Sequence, residues 1–129
     1  MIKLSLGEIA KALDEIKLPH FDLLVAIGSD GIKPAQILQK RLTIPLEIVW
    51  INYRGSNNMP IRDEPELTKP FSGKLAGKKI LLVDTVARTG KTLEKAKEIL
   101  GGNEIKTFVI NGKADYSLFD YKECIEWPW

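Results

Sequence analysis

The chain has 129 residues, of which 44% are hydrophobic and 28% are charged. This balance is typical of a globular protein with one hydrophobic core, so we predict a single domain over residues 1–129. A net charge of +2 does not favour nucleic-acid binding, and a single cysteine excludes an internal disulfide. Because no apolar run approaches the roughly 20 residues of a membrane span, we expect a soluble, cytoplasmic protein that does not bind a membrane.

The first predicted element is an amphipathic helix over residues 5–17. Ser5 and Glu8 have the spacing of a capping box, in which each side chain accepts a hydrogen bond from a backbone amide at the helix start. The apolar residues that follow recur at the spacing of one helix face: Leu6, Ile9, Leu13 and Ile16. Pro19 then ends the helix.

The next segments alternate between strand and helix. Residues 23–27 form an apolar run that leads into a turn at residues 28–31, and Pro34 predicts the first turn of a helix. Residues 46–51 predict the following strand. Residues 52–75 lose this periodicity and are rich in Gly, Asn, Pro and charges, which is typical of a functional or mobile loop.

The second half of the chain continues the alternation. Residues 79–83 predict a strand covered on both faces, and Gly101 with Gly102 ends the helix that follows. Further strands are predicted at residues 107–110 and 121–126. This order indicates an α/β fold with a mainly parallel, doubly wound sheet, flanking helices and ligands at the carboxyl ends of the strands.

The most informative segment is ILLVDTVARTGKTL at residues 80–93. Its strand runs into a short turn that opens a helix, so backbone N–H groups and the positive end of the helix dipole meet at residues 89–92. Gly90 would let an anion approach the backbone closely. An ordinary strand-to-helix turn is the alternative, whereas a Walker P-loop is excluded because Thr85 stands at its first glycine position.

This segment resembles the ribose-phosphate-binding signature of type I phosphoribosyltransferases. In that signature a strand leads to two acidic residues, two apolar residues and a D-T-G-x-T-like loop. Asp84 occupies the first acidic position, Thr85 stands at the second, and Arg88 stands where purine enzymes carry a carboxylate. The matching residues of the loop are Thr89, Gly90 and Thr92.

Two further segments resemble the xanthine–guanine branch of that family. The sequence CIEWPW at residues 124–129 is similar to the W-I-E-x-P-W stretch of the base pocket, with Cys124 in place of the aromatic residue. The sequence AIGSDGIKPA at residues 26–35 is similar to the pyrophosphate loop, with Ser29 in place of an arginine. Lys113 lies about where purine enzymes hold a lysine against the 6-oxo group of the base.

The resemblance implies a reaction in which a purine base displaces pyrophosphate from phosphoribosyl pyrophosphate (PRPP), with Mg²⁺ as cofactor. It implies a small C-terminal hood, and we also expect a homodimer. Asp84 and Arg88 are the candidate catalytic residues, and Asp84 is the candidate metal ligand. The other candidates form three groups: Asp84, Thr85, Arg88, Thr89, Gly90, Lys91 and Thr92 for PRPP and its 5′-phosphate; Gly28, Ser29, Asp30 and Gly31 for pyrophosphate; and Lys113, Cys124 and Ile125 for the base. In the resembled family a flexible loop over residues 52–75 closes on the substrate, with Tyr53, Arg54 and Lys69 as candidate contacts.

Three functions are consistent with these residues. The first is a purine-type phosphoribosyltransferase of nucleotide salvage, and the C-terminal base-pocket motif favours it. The second is a non-catalytic relative that binds a nucleotide or sugar phosphate in a regulatory role, which the departures at Thr85, Arg88 and Ser29 favour. The third is an RNA-binding regulator, which would need a run of basic and aromatic residues that the sequence lacks.

Overall fold

The computed structural model describes residues 1–52, 66–67 and 77–129. The predicted loop contacts Tyr53, Arg54 and Lys69 lie outside these residues. Along the chain the elements are β1 (Ile2–Lys3), α1 (Leu6–Glu15), β2 (Leu23–Gly28), α2 (Ile32–Leu42), β3 (Leu46–Asn52), β4 (Glu66–Leu67), β5 (Lys79–Ala87), α3 (Lys91–Ile99), β6 (Glu104–Gly112), β7 (Tyr116–Phe119) and β8 (Ile125–Glu126). None of the helices in this part of the chain is long and apolar enough to cross a membrane.

The main sheet of the described residues has six strands in the order β4-β3-β2-β5-β6-β7. Strands β3, β2, β5, β6 and β7 are parallel, and β4 is antiparallel to β3. Strand β2 lies at the centre, where Leu24 pairs with Leu46 of β3 and with Leu81 of β5. The predicted mainly parallel sheet with flanking helices is therefore confirmed.

Both faces of this sheet are covered, which explains why all six residues of β2 are buried. On one face, α1 and α2 pack through Ile9, Leu13, Ala35 and Leu38 against a core that includes Phe108. On the other face, α3 packs against Leu82 and Val109. The buried residues of α3 are Leu93 and Ala96.

The capping box that the sequence predicts at the start of α1 is confirmed. The Glu8 amide donates to Ser5 Oγ at 3.1 Å, and the Ser5 amide donates to Glu8 Oε1 at 3.3 Å. The helix ends at Glu15, two residues before the predicted boundary, because Ile16 is already extended.

The prediction for the end of the chain needs two corrections. Strand β7 (Tyr116–Phe119) was not predicted, and the predicted strand at residues 121–126 is reduced to β8 (Ile125–Glu126), which pairs with β1. Tyr121 does not belong to a strand because the Asn111 side chain bonds both its N–H, at 2.7 Å, and its C=O, at 3.0 Å. The β1–β8 pair is the small hood-like segment, and it includes an N-terminal strand as well as the C-terminal one.

Strands β6 and β7 are parallel although only residues 113–115 connect them. Parallel neighbours usually need a crossover of about a dozen residues or more. Here Gly112 turns the chain with φ 121°. A Cβ at this position would collide with β5, because it would lie 2.2 Å from the Ala87 carbonyl oxygen. Asp115 then exchanges hydrogen bonds with Thr107, whose hydroxyl accepts the Asp115 amide at 2.9 Å.

Candidate active site at the carboxyl edge of the sheet

Three of the predicted ligand-binding segments follow parallel strands and therefore meet at one edge of the sheet. Residues 28–31 follow β2, residues 88–90 follow β5, and Lys113 follows β6. Because β2, β5 and β6 are consecutive in the sheet, these segments lie side by side. This edge is the candidate active site.

The first turn of α3 forms an anion cup, which we define as residues 88–92. Gly90 is the N-cap at φ 79°, and Thr89 Oγ1 accepts a hydrogen bond from the Lys91 amide at 3.4 Å. A Cβ added at Gly90 would meet nothing within 4 Å, so there is open space in front of the turn. Arg88, Thr89 and Lys91 are exposed. Helix-start amides beside two cationic side chains make this cup suited to a phosphate group.

Asp84 and Thr85, in the last half of β5, are both buried. Asp84 pairs with Val109, which belongs to the core on the α3 side, so its side chain lies on that face of the sheet. Its Oδ1 accepts the Thr85 amide at 2.8 Å. Thr85 lies on the opposite face, where its hydroxyl donates a hydrogen bond to the backbone carbonyl of Asp30.

The pyrophosphate-loop candidate, residues 28–31, is packed tightly through its backbone. The Gly31 amide donates to the Ile27 carbonyl at 2.7 Å. A Cβ at Gly31 would lie 2.4 Å from the Val83 carbonyl oxygen, and one at Gly28 would lie 2.7 Å from the Trp50 ring. A side chain at Gly31 would collide with backbone, and one at Gly28 would displace the Trp50 ring. The Ser29 and Asp30 side chains are exposed, so they are available to a ligand.

The candidate base-binding residues fall in two places. Lys113 is exposed at the carboxyl end of β6, on the same edge as the anion cup. Cys124 is exposed and its carbonyl accepts the Ile2 amide at 2.9 Å, whereas Ile125 is half-buried and pairs with Ile2. Cys124 and Ile125 thus belong to the β1–β8 segment.

One aromatic residue at this edge was not among the predicted site residues. The side chain of Asn111, which is two positions before Lys113, bonds the backbone of Tyr121. The Tyr121 ring stacks on Phe119 with centroids 5.4 Å apart and an interplanar angle of 18°. The side chain remains 38% exposed. No sequence motif marks Tyr121, because its position depends on contacts with β6 and β7.

The titration and metal-binding properties of the described residues add two facts. The clear pKa shift in this part of the chain is at the opposite edge, where the Lys79 backbone N–H and the His20 ring hold the pKa of Asp22 below its ordinary value of 3.8. In residues 1–52 and 77–129, no three His, Cys, Asp or Glu side chains form a group that could hold a metal ion.

The sequence of the chain is similar to that of several known proteins. Residues 2–129 match the family model of the phosphoribosyl transferase domain. The chain is 35% identical over 103 residues to an orotate phosphoribosyltransferase of Sulfurisphaera tokodaii, covering 78% of this chain and 48% of that protein. It is 29% identical over 105 residues to a hypoxanthine phosphoribosyltransferase of Haemophilus influenzae, covering 81% of this chain and 58% of that protein. The chain thus spans about half the length of these curated relatives.

A solved structure is similar over nearly the whole chain. The purine phosphoribosyltransferase from Pyrococcus horikoshii superposes with a TM-score of 0.78 at 28% identity, covering 99% of this chain and 92% of that one. Together with the family model, which matches residues 2–129, this similarity shows that the chain belongs to the phosphoribosyltransferase family.

Proposed function

We propose that the protein is a purine phosphoribosyltransferase, which transfers the phosphoribosyl group of PRPP to a purine base and releases pyrophosphate. The observation that carries the proposal is that the anion cup after β5 and the glycine turn at residues 28–31 after β2 lie on neighbouring strands at one edge of the sheet. PRPP is anionic at both ends, and in this proposal the cup takes its 5′-phosphate end while residues 28–31 face its pyrophosphate end.

In this proposal the anion cup binds the 5′-phosphate. The amides of the first turn of α3 and the hydroxyls of Thr89 and Thr92 donate to the phosphate oxygens. Arg88 and Lys91 add positive charge, and a guanidinium suits a bidentate contact with phosphate. Gly90, in its left-handed conformation, keeps the approach open.

The ribose and the pyrophosphate lie between β5 and β2. Asp84 accepts a hydrogen bond from a ribose hydroxyl, and its negative charge stabilises the positive charge that develops on the ribose as the C1–O bond to pyrophosphate breaks. The loop at residues 28–31 faces the pyrophosphate. Mg²⁺, with Asp84 as the residue that would hold it, would neutralise negative charge on the leaving pyrophosphate.

The nucleobase completes the proposed site at the carboxyl end of β6. Lys113 donates to the exocyclic oxygen of the base, and Cys124 and Ile125 border it from the β1–β8 segment. A purine is the proposed base because the purine phosphoribosyltransferase of known structure superposes over 99% of this chain with a TM-score of 0.78.

A second candidate function is a regulatory protein that binds a nucleotide or sugar phosphate without catalysis. It is favoured by Thr85, whose hydroxyl bonds the Asp30 carbonyl and so does not replace a carboxylate toward the ribose. Ser29 and the exposed Asp30 also supply no positive charge toward pyrophosphate. Both candidates use the same anion cup.

The test is nucleotide formation from PRPP and Mg²⁺ with a panel of labelled bases: guanine, xanthine, hypoxanthine, adenine and orotate. We expect product with a 6-oxopurine. Asp84→Asn should lower kcat by about tenfold to a hundredfold, the size of one lost charged hydrogen bond. Asp14→Asn, which makes the same charge change on α1, should not.

Product with orotate alone would overturn the purine assignment. No product with any base, from a protein that still binds guanosine monophosphate, would support the second candidate instead.

A further inference from the structure

Thr85 links the two halves of the proposed PRPP site. It is 4% exposed, and its hydroxyl donates to the Asp30 carbonyl across the gap between β5 and the end of β2. Asp84, the adjacent residue, points to the other face of the sheet and accepts the Thr85 amide at 2.8 Å. Thr85 is therefore attached on one side to the proposed ribose ligand and on the other to the pyrophosphate loop.

Backbone contacts of Gly31 and Ile32 hold the end of the loop. Gly31 lies against the Val83 carbonyl oxygen on β5, and its amide is bonded to Ile27 on β2. The Ile32 amide donates to the Ser29 carbonyl at 3.2 Å. With the Asp30 carbonyl bound to Thr85, the backbone orientation of the loop is fixed while the Ser29 and Asp30 side chains remain exposed.

We infer that Thr85 is a positioning residue, whose hydroxyl holds the pyrophosphate loop against β5 and so sets the separation between the pyrophosphate and 5′-phosphate ends of PRPP. This inference rests on the proposed function of the site. It differs from the assignment that the resemblance implies, in which the residue at this position contacts the PRPP itself. A carboxylate in its place would set a second acceptor against the Asp30 carbonyl oxygen, and neither group could donate.

The experiment measures binding by calorimetry for PRPP, magnesium pyrophosphate and ribose 5-phosphate, without turnover. In Thr85→Val the Kd of PRPP and of pyrophosphate should rise by about threefold to tenfold, as for one lost buried hydrogen bond, while the Kd of ribose 5-phosphate stays constant. Thr85→Ser should restore parent values because it keeps the hydroxyl. Thr85→Asp should weaken pyrophosphate binding more than Thr85→Val does.

The matched control is Thr107→Val. Thr107 is also 4% exposed, and its hydroxyl bonds Asp115 at 3.0 Å on the far side of β6. Both valine variants should lower Tm, but Thr107→Val should leave the Kd values of pyrophosphate and ribose 5-phosphate unchanged. If Thr85→Val does not fold, Thr85→Ala carries the same expectations.

Equal losses for all three ligands, or no loss for pyrophosphate, would overturn the inference and leave the proposed function intact. A parent that binds PRPP but forms no nucleotide would overturn the proposed catalysis, and the three binding constants would still decide the role of Thr85.

Discussion

The buried side chain of Asn111 holds the backbone of Tyr121 at both of its polar groups. Nδ2 donates to the Tyr121 carbonyl at 3.0 Å, and Oδ1 accepts the Tyr121 amide at 2.7 Å. Asn111 is in β6, so the segment that follows β7 starts from a point fixed to the carboxyl edge of the sheet. The position of the Tyr121 ring, and of the chain toward Cys124, depends on this pair.

Asn111→Ala should lower the free energy of unfolding by about 2 kcal/mol, because two hydrogen bonds are lost from a buried site. The control is Asn103→Ala at the opposite edge. Asn103 accepts the Lys78 amide at 2.9 Å and donates to the Leu100 carbonyl at 2.7 Å. Urea unfolding should show a loss in both variants, whereas only Asn111→Ala should weaken guanosine monophosphate binding. Equal affinity of the two variants for guanosine monophosphate would show that Asn111 does not affect the nucleotide site.

Gly90→Ala should weaken ribose 5-phosphate binding by disturbing the anion cup. Gly90 has φ 79°, which costs a residue with a side chain about 1 to 2 kcal/mol, and its Cβ would occupy the space in front of the turn. Gly102→Ala is the matched control, since Gly102 has φ 87° and equally open surroundings between α3 and β6. Thermal unfolding should show similar losses of stability in the two variants. Calorimetry should show weaker ribose 5-phosphate binding only in Gly90→Ala. Unchanged ribose 5-phosphate affinity would argue against a phosphate at this turn.

Gly31→Ala should be strongly destabilising. Its Cβ would lie within 3 Å of backbone atoms of Val83 and Ile27, and neither strand can move without disturbing the centre of the sheet. Gly7→Ala, in the first turn of α1, would meet only the Ser5 hydroxyl at 3.8 Å and should stabilise by up to about 1 kcal/mol. In urea denaturation, the midpoint should shift to lower concentration for Gly31→Ala and to higher concentration for Gly7→Ala. A Gly31→Ala protein as stable as the parent would show that the loop can relax.

The Asp22 carboxylate should contribute to acid sensitivity. Its pKa lies below the ordinary value, first because it accepts the Lys79 amide at 2.9 Å and also because His20 lies beside it at 3.3 Å. A lowered folded-state pKa gives stability above the unfolded-state pKa, near about 4, and that stability is lost as the pH falls through the folded-state value. Asp22→Asn should therefore lower Tm near neutral pH, and its difference from the parent should shrink on acidification.

Circular dichroism melts between about pH 6 and about pH 2 would measure this trend. Glu123→Gln, at an exposed carboxylate, controls for the change in net charge. A Tm difference for Asp22→Asn that stays constant with pH would contradict the linkage.

The sequence predicted the elements that depend on local patterns. Mainly apolar runs marked β2, β3, β5 and β6, and the Ser5 capping box marked α1. Strand β7 was missed because its residues are all half-buried and show no alternation, and β1 is too short to produce a pattern. The strand predicted around Tyr121 was wrong because a side chain on β6 takes its backbone bonds.

The parts of the site that could be predicted from the sequence are those that lie within one contiguous segment. The anion cup and residues 28–31 are contiguous, and parallel strand order was enough to bring them to one edge. The hydrogen bond from Thr85 to Asp30 joins residues 55 positions apart, so no sequence motif predicts it. The roles of Asn111 and Tyr121 depend in the same way on long-range contacts.

The short return between β6 and β7 has a consequence for the order of folding. Closing a loop of three residues costs little entropy, whereas β2 and β5 are separated by residues 29–78, which include α2 and β3. We therefore expect the β6–β7 register, pinned by Thr107 and Asp115, to be available to the chain before the central pairing forms. Pulse-labelled hydrogen exchange would show early protection at the Asp115 and Thr107 amides, and protection there only after β2 and β5 would refute this order.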